Sequence, residues 1–272
     1  MWSALALSEA PQAVEAVHAA YIDSGANVIT SNSYAVVPFH IGEERFAAEG
    51  QALAALAGEL ARRAADASGK SVRVAGSLPP LFGSYRPDLF DASRAADLLA
   101  PLVNGLAPHV DLWLAETQSS IVEARAIHAG LPEDGKPFWL SFTLKDEDTD
   151  AVPRLRSGEP VAEAAAVAAE LGVETLLFNC SQPEVIGDAI DVARATFERL
   201  GVKIHIGAYA NAFPPQPEEA TANDGLDPLR EDLDPPGYLR WAADWQQRGA
   251  SHLGGCCGIG PEHIAVLAQK LR

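Results

Sequence analysis

The sequence predicts an α/β fold of the (β/α)8 TIM-barrel type, lacking its first strand. Three observations carry that prediction. Short apolar runs alternate with Ala-rich helical stretches of ten or more residues, the pattern of a parallel sheet wrapped by helices. The chain has 272 residues, a length at which α/β barrels form as one domain, and 48% of them are hydrophobic, enough for a sizeable core. Polar residues and all three cysteines fall at or just beyond the C-terminal ends of the apolar runs, where such barrels carry their working groups.

Taken in order, residues 11–24 read as a helix. Pro11 suits a first turn, Val14, Val17, Tyr21 and Ile22 form an apolar stripe, and Gly25 stops it. A strand follows at 27–32, then a long Ala-rich helix at 43–68 and a strand at 72–77. Helix 91–107 leads to strand 111–117, helix 119–129 to strand 138–143, and helix 160–171 to strand 175–180. Helix 184–199 precedes strand 203–209, and helix 235–248 precedes a short strand at 251–254. A closing helix, 261–271, opens on Pro261, a favoured first position. A closed barrel of this kind needs eight strands, and seven are visible. The eighth would precede Met1, so one N-terminally shortened barrel domain over 1–272 is expected. Residues 210–234, rich in proline and acid, read as a surface loop or lid, or plainly as a solvated connector. The run 145–150 reads as a solvated loop, and His205 and His252, inside strands, as buried hydrogen-bonded histidines.

The formal net charge is −17, which argues against a nucleic-acid or anionic-membrane partner. No apolar stretch reaches the length of a membrane span. The start shows no basic region followed by an apolar one, so a cytoplasmic location is expected. In that compartment an odd cysteine count suits metal binding or catalysis better than disulfides.

Two of the three cysteines are adjacent and boxed in by glycine, in Gly254-Gly255-Cys256-Cys257-Gly258. The third, Cys180, ends the strand-like run Phe178-Asn179-Cys180. It lies too far upstream for a finger-like clip, so only a fold could bring the three thiols together. One reading is a single metal, zinc, held by three thiolates with one position open. The glycines would permit the tight bend two neighbouring ligands require. Three buried apolar cysteines, or a strained vicinal disulfide, are the alternatives. Other polar residues gather at the same strand ends: Glu116, Ser31, Asn32, Tyr34, Tyr209 and Asn211 are candidates for the wall of a pocket. Each could equally serve packing, a turn or a helix cap. Asn179, beside a candidate ligand, could orient it or simply satisfy backbone groups.

The chain resembles the homocysteine S-methyltransferase family. The resemblance rests on Trp2-Ser3, residues 25–34, Gly76-Ser77-Leu78-Pro79-Pro80, Glu116-Thr117, Phe178-Asn179-Cys180, Tyr209-Ala210-Asn211 and the glycine-boxed cysteine pair, in order over nearly the whole length. It implies a (β/α)8 barrel, zinc on Cys180, Cys256 and Cys257, and methyl transfer to the sulfur of homocysteine. It further implies that Glu116 holds the substrate's amino group and that Trp2 lies near the substrate. One departure stands out. Family members open with a strand carrying an Asp-Gly-Gly-x-Gly-Thr-like sequence, which helps form the homocysteine pocket, and nothing here corresponds to it.

The expected chemistry follows from charge. A free thiol has a pKa near 8.5, so little thiolate exists at neutral pH, and coordination to zinc deprotonates it. The expected partners are homocysteine, or a related selenol, and a small methyl donor. A sulfonium is preferred, S-methylmethionine or S-adenosylmethionine, with betaine satisfying the same chemistry. Two other classes compete: a closed zinc site doing no chemistry, for which His252 would have to be the fourth ligand, and a thiol-redox protein using the vicinal pair.

Overall fold

The computed structural model describes residues 2–147, 152–214 and 228–271. Helices α1 (Trp2–Glu9) and α2 (Pro11–Asp23) come first, followed by β1 (Val28–Thr30), α3 (Pro38–Ile41), α4 (Glu43–Ala67) and β2 (Arg73–Leu78). Next are α5 (Ala92–Leu106), β3 (Leu112–Gln118), α6 (Ile121–Ala129), β4 (Phe138–Phe142) and α7 (Val161–Glu170). The chain continues through β5 (Thr175–Asn179), α8 (Pro183–Leu200), β6 (His205–Tyr209), α9 (Pro235–Gln247), β7 (His252–Leu253) and α10 (Pro261–Lys270).

All seven strands are parallel, and they lie in the order β1 to β7, each paired with its neighbour in sequence. Among the described residues no ladder joins β7 to β1, so the sheet curls without closing. Strands buried on both faces must be apolar throughout. Accordingly every residue of β3, β4 and β5 is buried. Ala75, Leu112, Leu114, Trp139 and Leu177 form a small cluster inside the curl, while a larger core fills the space between sheet and helices. Helices α4 and α5 approach so closely that a Cβ at Gly105 would stand 2.5 Å from the carbonyl oxygen of Gln51. Only glycine fits there.

The seven strands appear where the sequence places them. Helices α1 and α3 are additional, because eight and four residues are too short to display a periodic stripe. Ala4 and Leu7 nonetheless bury α1 on the core. Strand β7 has two residues rather than four, since it pairs on one side only and runs directly into the glycine pair.

Two expectations are corrected. His205 is exposed, because it is the first residue of β6 and emerges at the face opposite the cysteines. His252, half-buried, sets its ring edge against Trp139 at 4.8 Å. The run 145–150 is not wholly a solvated loop: Asp146 is fully buried and pairs with Arg156 at 2.8 Å. A bridge between Leu144 and Leu155 folds the segment back and brings that arginine over the carboxylate. Residues 148–150 lie outside the described residues. No helix among the described residues is long and apolar enough to cross a membrane.

The buried face of α2 is Val14, His18 and Ile22, spaced by four, and its imidazole Nε2 has no hydrogen-bond partner. Burial depresses the pKa of His18 to about 4. Its contribution to stability is therefore full above the ordinary value of 6.5 and is lost as pH falls through 4, a span worth on the order of 3 kcal/mol. His18→Leu is expected to remove that arm. Urea unfolding at pH 7 and pH 4.5 should show a smaller acid loss in the variant, and equal losses would refute the assignment.

Candidate active site

Each cysteine follows the C-terminal end of a strand. Cys180 comes directly after β5, is buried, and has a left-handed backbone, φ 52°. Its N–H donates to the carbonyl of Tyr209 at the end of β6, at 3.2 Å. Cys256 and Cys257 sit on the turn after β7, which is stitched to the segment leaving β6. Gly254 N–H donates to Ala208 O (3.0 Å), Cys256 N–H to Ala210 O (2.9 Å) and Ala212 N–H to Cys257 O (2.8 Å). A side chain at Gly255 would meet Ile259 Cγ2 at 2.1 Å, so the turn can be this tight only with glycine there.

The result is a trio of sulfurs within 4.8 Å of one another, with those of Cys256 and Cys257 3.9 Å apart. Sulfurs sharing one metal ion at ~2.3 Å stand about 4 Å apart, so the spacing suits a single cation. Without a cation the cluster favours one thiolate and two thiols. Hydrogen bonds from Cys256, Cys257 and Tyr85 hold the Cys180 thiol well below its ordinary pKa. Hydrogen bonding to Cys180, together with its charge, pushes Cys256 and Cys257 up. Three thiolates this close require a positive ion among them. Among the described residues no histidine, aspartate or glutamate joins the group, and His252 lies outside it.

Glu116 projects from the end of β3 and is buried beside the trio. Ser77 Oγ donates to its Oε1, and the Tyr209 hydroxyl to its Oε2 at 3.4 Å. Burial pushes its pKa up to about 7 against the Ser77 hydrogen bond, and the Cys180 charge adds to the rise. The next residue, Thr117, is held by Asn179. Asn179 Oδ1 accepts from Thr117 N–H (3.0 Å) and Ser141 Oγ (2.7 Å), and its Nδ2 donates to Thr117 Oγ1 (2.8 Å). Three non-glycine residues have positive φ among those described: Tyr85, Thr117 and Cys180, at 64°, 59° and 52°. Such backbones cost on the order of 1–3 kcal/mol each and persist where surroundings enforce them. All three stand at this rim.

The structure thus brings Cys180, Cys256, Cys257, Glu116, Asn179, Tyr209, Asn211 and Tyr34 together. Asn211 places Nδ2 4.0 Å from Cys180 Sγ while its Oδ1 accepts from Gln182 Nε2 at 3.2 Å. Tyr34 bonds Ser84 Oγ at 2.7 Å and is near enough to feel the charge of Cys180. Ser31 and Asn32 each carry a hydrogen bond within the chain. Ser31 Oγ accepts from Ser77 N–H (3.0 Å), and Asn32 Nδ2 donates to Ser3 O (3.1 Å), tying down α1. Trp2 opens α1, and its side chain lies outside the described residues. So do residues 215–227 of the expected lid. Its two ends meet beside the site, where Arg230 N–H donates to Ala212 O (2.8 Å) and the Arg230 guanidinium to Gln182 Oε1 (2.6 Å).

Sequence reasoning missed Tyr85, whose hydroxyl lies 2.9 Å from Cys180 Sγ, and Ser77, the partner of Glu116. The signal for Ser77 was available, since it ends a strand in a quoted motif. Tyr85 sits seven residues beyond its strand, and no local pattern aims it. Asn179→Ala is expected to cost about 3 kcal/mol, because three buried hydrogen bonds go and the Thr117 N–H is stranded. Chemical denaturation checks it, and a loss under 1 kcal/mol would deny Asn179 this role.

The sequence model of the homocysteine S-methyltransferase family matches residues 1–271. The chain belongs to that family. Homocysteine S-methyltransferase 4 of Zea mays is 28% identical over 304 residues, covering 100% of this chain and 83% of the maize protein. The Escherichia coli homocysteine methyltransferase MmuM is similar in structure. Its oxidized form superposes with a TM-score of 0.77 at 25% identity and its metallated form with 0.75 at 27%, each covering 99% of this chain and 88% of MmuM. As a homocysteine S-methyltransferase family member, the protein keeps its thiols and its buried carboxylate at the C-terminal rim of a parallel sheet, where barrel enzymes place chemistry.

Proposed function

We propose that this protein moves a methyl group from a small sulfonium donor to the thiolate of homocysteine, giving methionine, with zinc held by Cys180, Cys256 and Cys257. The observation that carries the reading is the convergence of three thiols within 4.8 Å at one rim. A catalytic zinc takes three protein ligands and keeps a fourth position for substrate. The existence of a metallated form of MmuM supports a metal here. When bound, zinc supplies the lowered pKa that lets an incoming thiol be a thiolate at neutral pH.

The chain's own residues supply placement. Glu116, ionised, receives the substrate ammonium, and Ser77 and Tyr209 fix its two oxygens. Asn179 clamps the adjacent Thr117 and so fixes the backbone that carries the carboxylate. With the acceptor oriented, its sulfur attacks the methyl carbon. The bond from that carbon to the donor sulfur breaks, and its electron pair stays on the donor. Thiolate and sulfonium charges cancel, both products leave as neutral thioethers, and the thiol proton has already gone to water. No general base is needed.

The test is a methyl-transfer assay with homocysteine against S-methylmethionine, S-adenosylmethionine and betaine, with zinc measured in the same preparation. Methionine should form with a sulfonium, at about one zinc per chain, and stop when a chelator strips the metal. Full activity in metal-free protein would overturn the zinc assignment. Absence of methionine from every donor in zinc-loaded protein would overturn the function.

A further inference from the structure

One sulfur of the trio has company that the other two lack. Tyr85 sets its hydroxyl 2.9 Å from Cys180 Sγ, and Asn211 sets Nδ2 4.0 Å from the same atom. Among the described residues, no hydroxyl or amide side chain hydrogen-bonds the sulfur of Cys256 or Cys257, which face each other at 3.9 Å. A tyrosine keeps its proton at neutral pH, whereas a metal-bound cysteine is a thiolate with nothing to donate. The hydroxyl therefore donates and Cys180 accepts.

Tyr85 is braced in this contact. Its backbone is left-handed, with φ 64°. Arg156 lies 5.0 Å over its ring and pairs with the buried Asp146 at 2.8 Å. Asp146 in turn accepts the N–H of Gln182, two residues beyond Cys180, at 3.1 Å. The brace thus ends on the segment that carries the sulfur. Asn211 is anchored as well, its Oδ1 accepting from Gln182 Nε2 and from the Phe213 N–H, each at 3.2 Å. Tyr85 also lines a cavity of about 170 Å³ with Asp88, Lys145, Glu147 and Arg156, which leaves the buried Cys180 one side chain away from it.

Three thiolates on one ion raise a problem of selectivity. A fourth sulfur bound to the same ion at ~2.3 Å stands about 4 Å from each of them. A methyl carbon within reach of the acceptor is then close to the ligands too. If Cys180 attacks it, an S–C bond forms, and the bond to the leaving group breaks with its electron pair on the leaving group. The ligand becomes an uncharged thioether. A hydrogen bond to a thiolate is strongest while the sulfur carries its full charge, and it weakens as that charge passes into the new bond. It stabilises the ground state more than the transition state and so slows the attack.

We propose that Tyr85, assisted by Asn211, masks Cys180 by hydrogen bonding, so that methylation falls on the acceptor sulfur and this metal ligand is spared. Tyr85 is a positioning residue whose effect passes through Cys180. The proposal rests on the zinc and methyl-transfer reading above and adds to it a barrier against self-methylation.

The test treats the zinc-loaded full chain with methyl iodide, without homocysteine, and follows methylation at each cysteine by peptide mass spectrometry. Tyr85→Phe keeps the ring beneath Arg156 and removes the hydroxyl alone. It should speed methylation of Cys180 about tenfold, the share of a charge-assisted bond lost in the transition state. Cys256 and Cys257 should stay within twofold of the unsubstituted protein, with equal zinc content at the start. Asn211→Ala should act in the same direction by about threefold. In cobalt(II)-substituted Tyr85→Phe the sulfur-to-cobalt charge-transfer band should move to longer wavelength, because an unmasked thiolate gives up electrons more readily. A tyrosine that only packs would leave that band in place. An unchanged Cys180 rate or an unmoved band in Tyr85→Phe overturns the proposal, and an equal rise at all three cysteines, a general loosening, does so too. If that variant does not hold zinc, an unchanged Cys180 rate in Asn211→Ala overturns it. None of these readings needs turnover, so absence of methionine from every donor would overturn the methyl-transfer reading and leave the masking of Cys180 standing.

Discussion

Cys180→Ser is expected to lower methyl transfer to homocysteine by roughly 1,000-fold and to leave the purified protein with well under one metal equivalent. Two losses combine. A thiol of pKa near 8.5 is only ~3% thiolate at pH 7, so forfeiting ionisation costs about 30-fold. Forfeiting the fixed position of the acceptor sulfur costs a comparable further factor. The two can be separated by pH. Raising it toward 9 should return most of the ionisation share in the variant and little in the wild type. Cys256→Ser and Cys257→Ser should behave alike, because the three sulfurs lie within 4.8 Å as one group. A Cys180→Ser protein retaining metal and rate would show that the trio is not the working centre.

Glu116→Ala should raise the KM for homocysteine about 100-fold, the typical cost of removing one partner from a buried charge pair, while changing the donor KM little. Glu116→Gln separates function from stability. Burial moves the folded-state pKa to about 7 from an ordinary 4.5. Stability from this raised acid is present below 4.5 and is lost as pH rises through 7. At pH 8 the ionised carboxylate therefore weakens the folded state by up to about 3 kcal/mol. The glutamine variant should be more stable than the wild type at pH 8, the difference should vanish near pH 4.5, and homocysteine binding should be impaired at pH 8, where the wild-type carboxylate is ionised. Unfolding curves at the two pH values decide it. A variant less stable at pH 8 would mean that the carboxylate is a structural anchor. Carrying a buried ionisable group at a net loss is what a site selected for binding would show.

The architecture was readable because its signals are local. Alternating apolar runs and Ala-rich helices state the parallel sheet, and every strand-end residue then falls at one rim. The glycine-boxed pair Cys256-Cys257 and the Asn179-Cys180 step announced themselves by composition. Asn179 shows where such reading stops: its position was legible, but its three bonds to Thr117 and Ser141 depend on how β3, β4 and β5 register. Tyr85 was invisible for the same reason, since it meets Cys180 across 95 residues through a loop of left-handed backbone. The Asp146–Arg156 pair reversed a solvated-loop expectation because a single bridge at Leu144 and Leu155 turns a charged segment inward.

By itself, then, the order of residues determined the sheet, the direction of its strands, the rim that carries chemistry and the three sulfurs able to share a cation. Those depend on periodicity and on backbone freedom at glycine, which are properties of short stretches. Only the tertiary structure decided how close the sulfurs come, that Ser77 and Tyr209 flank Glu116, that Asn32 ties down a helix, and that a cavity with both signs of charge opens beside Tyr85. These are contacts between strands and loops distant in sequence, and burial and hydrogen bonding select them only once the sheet has curled.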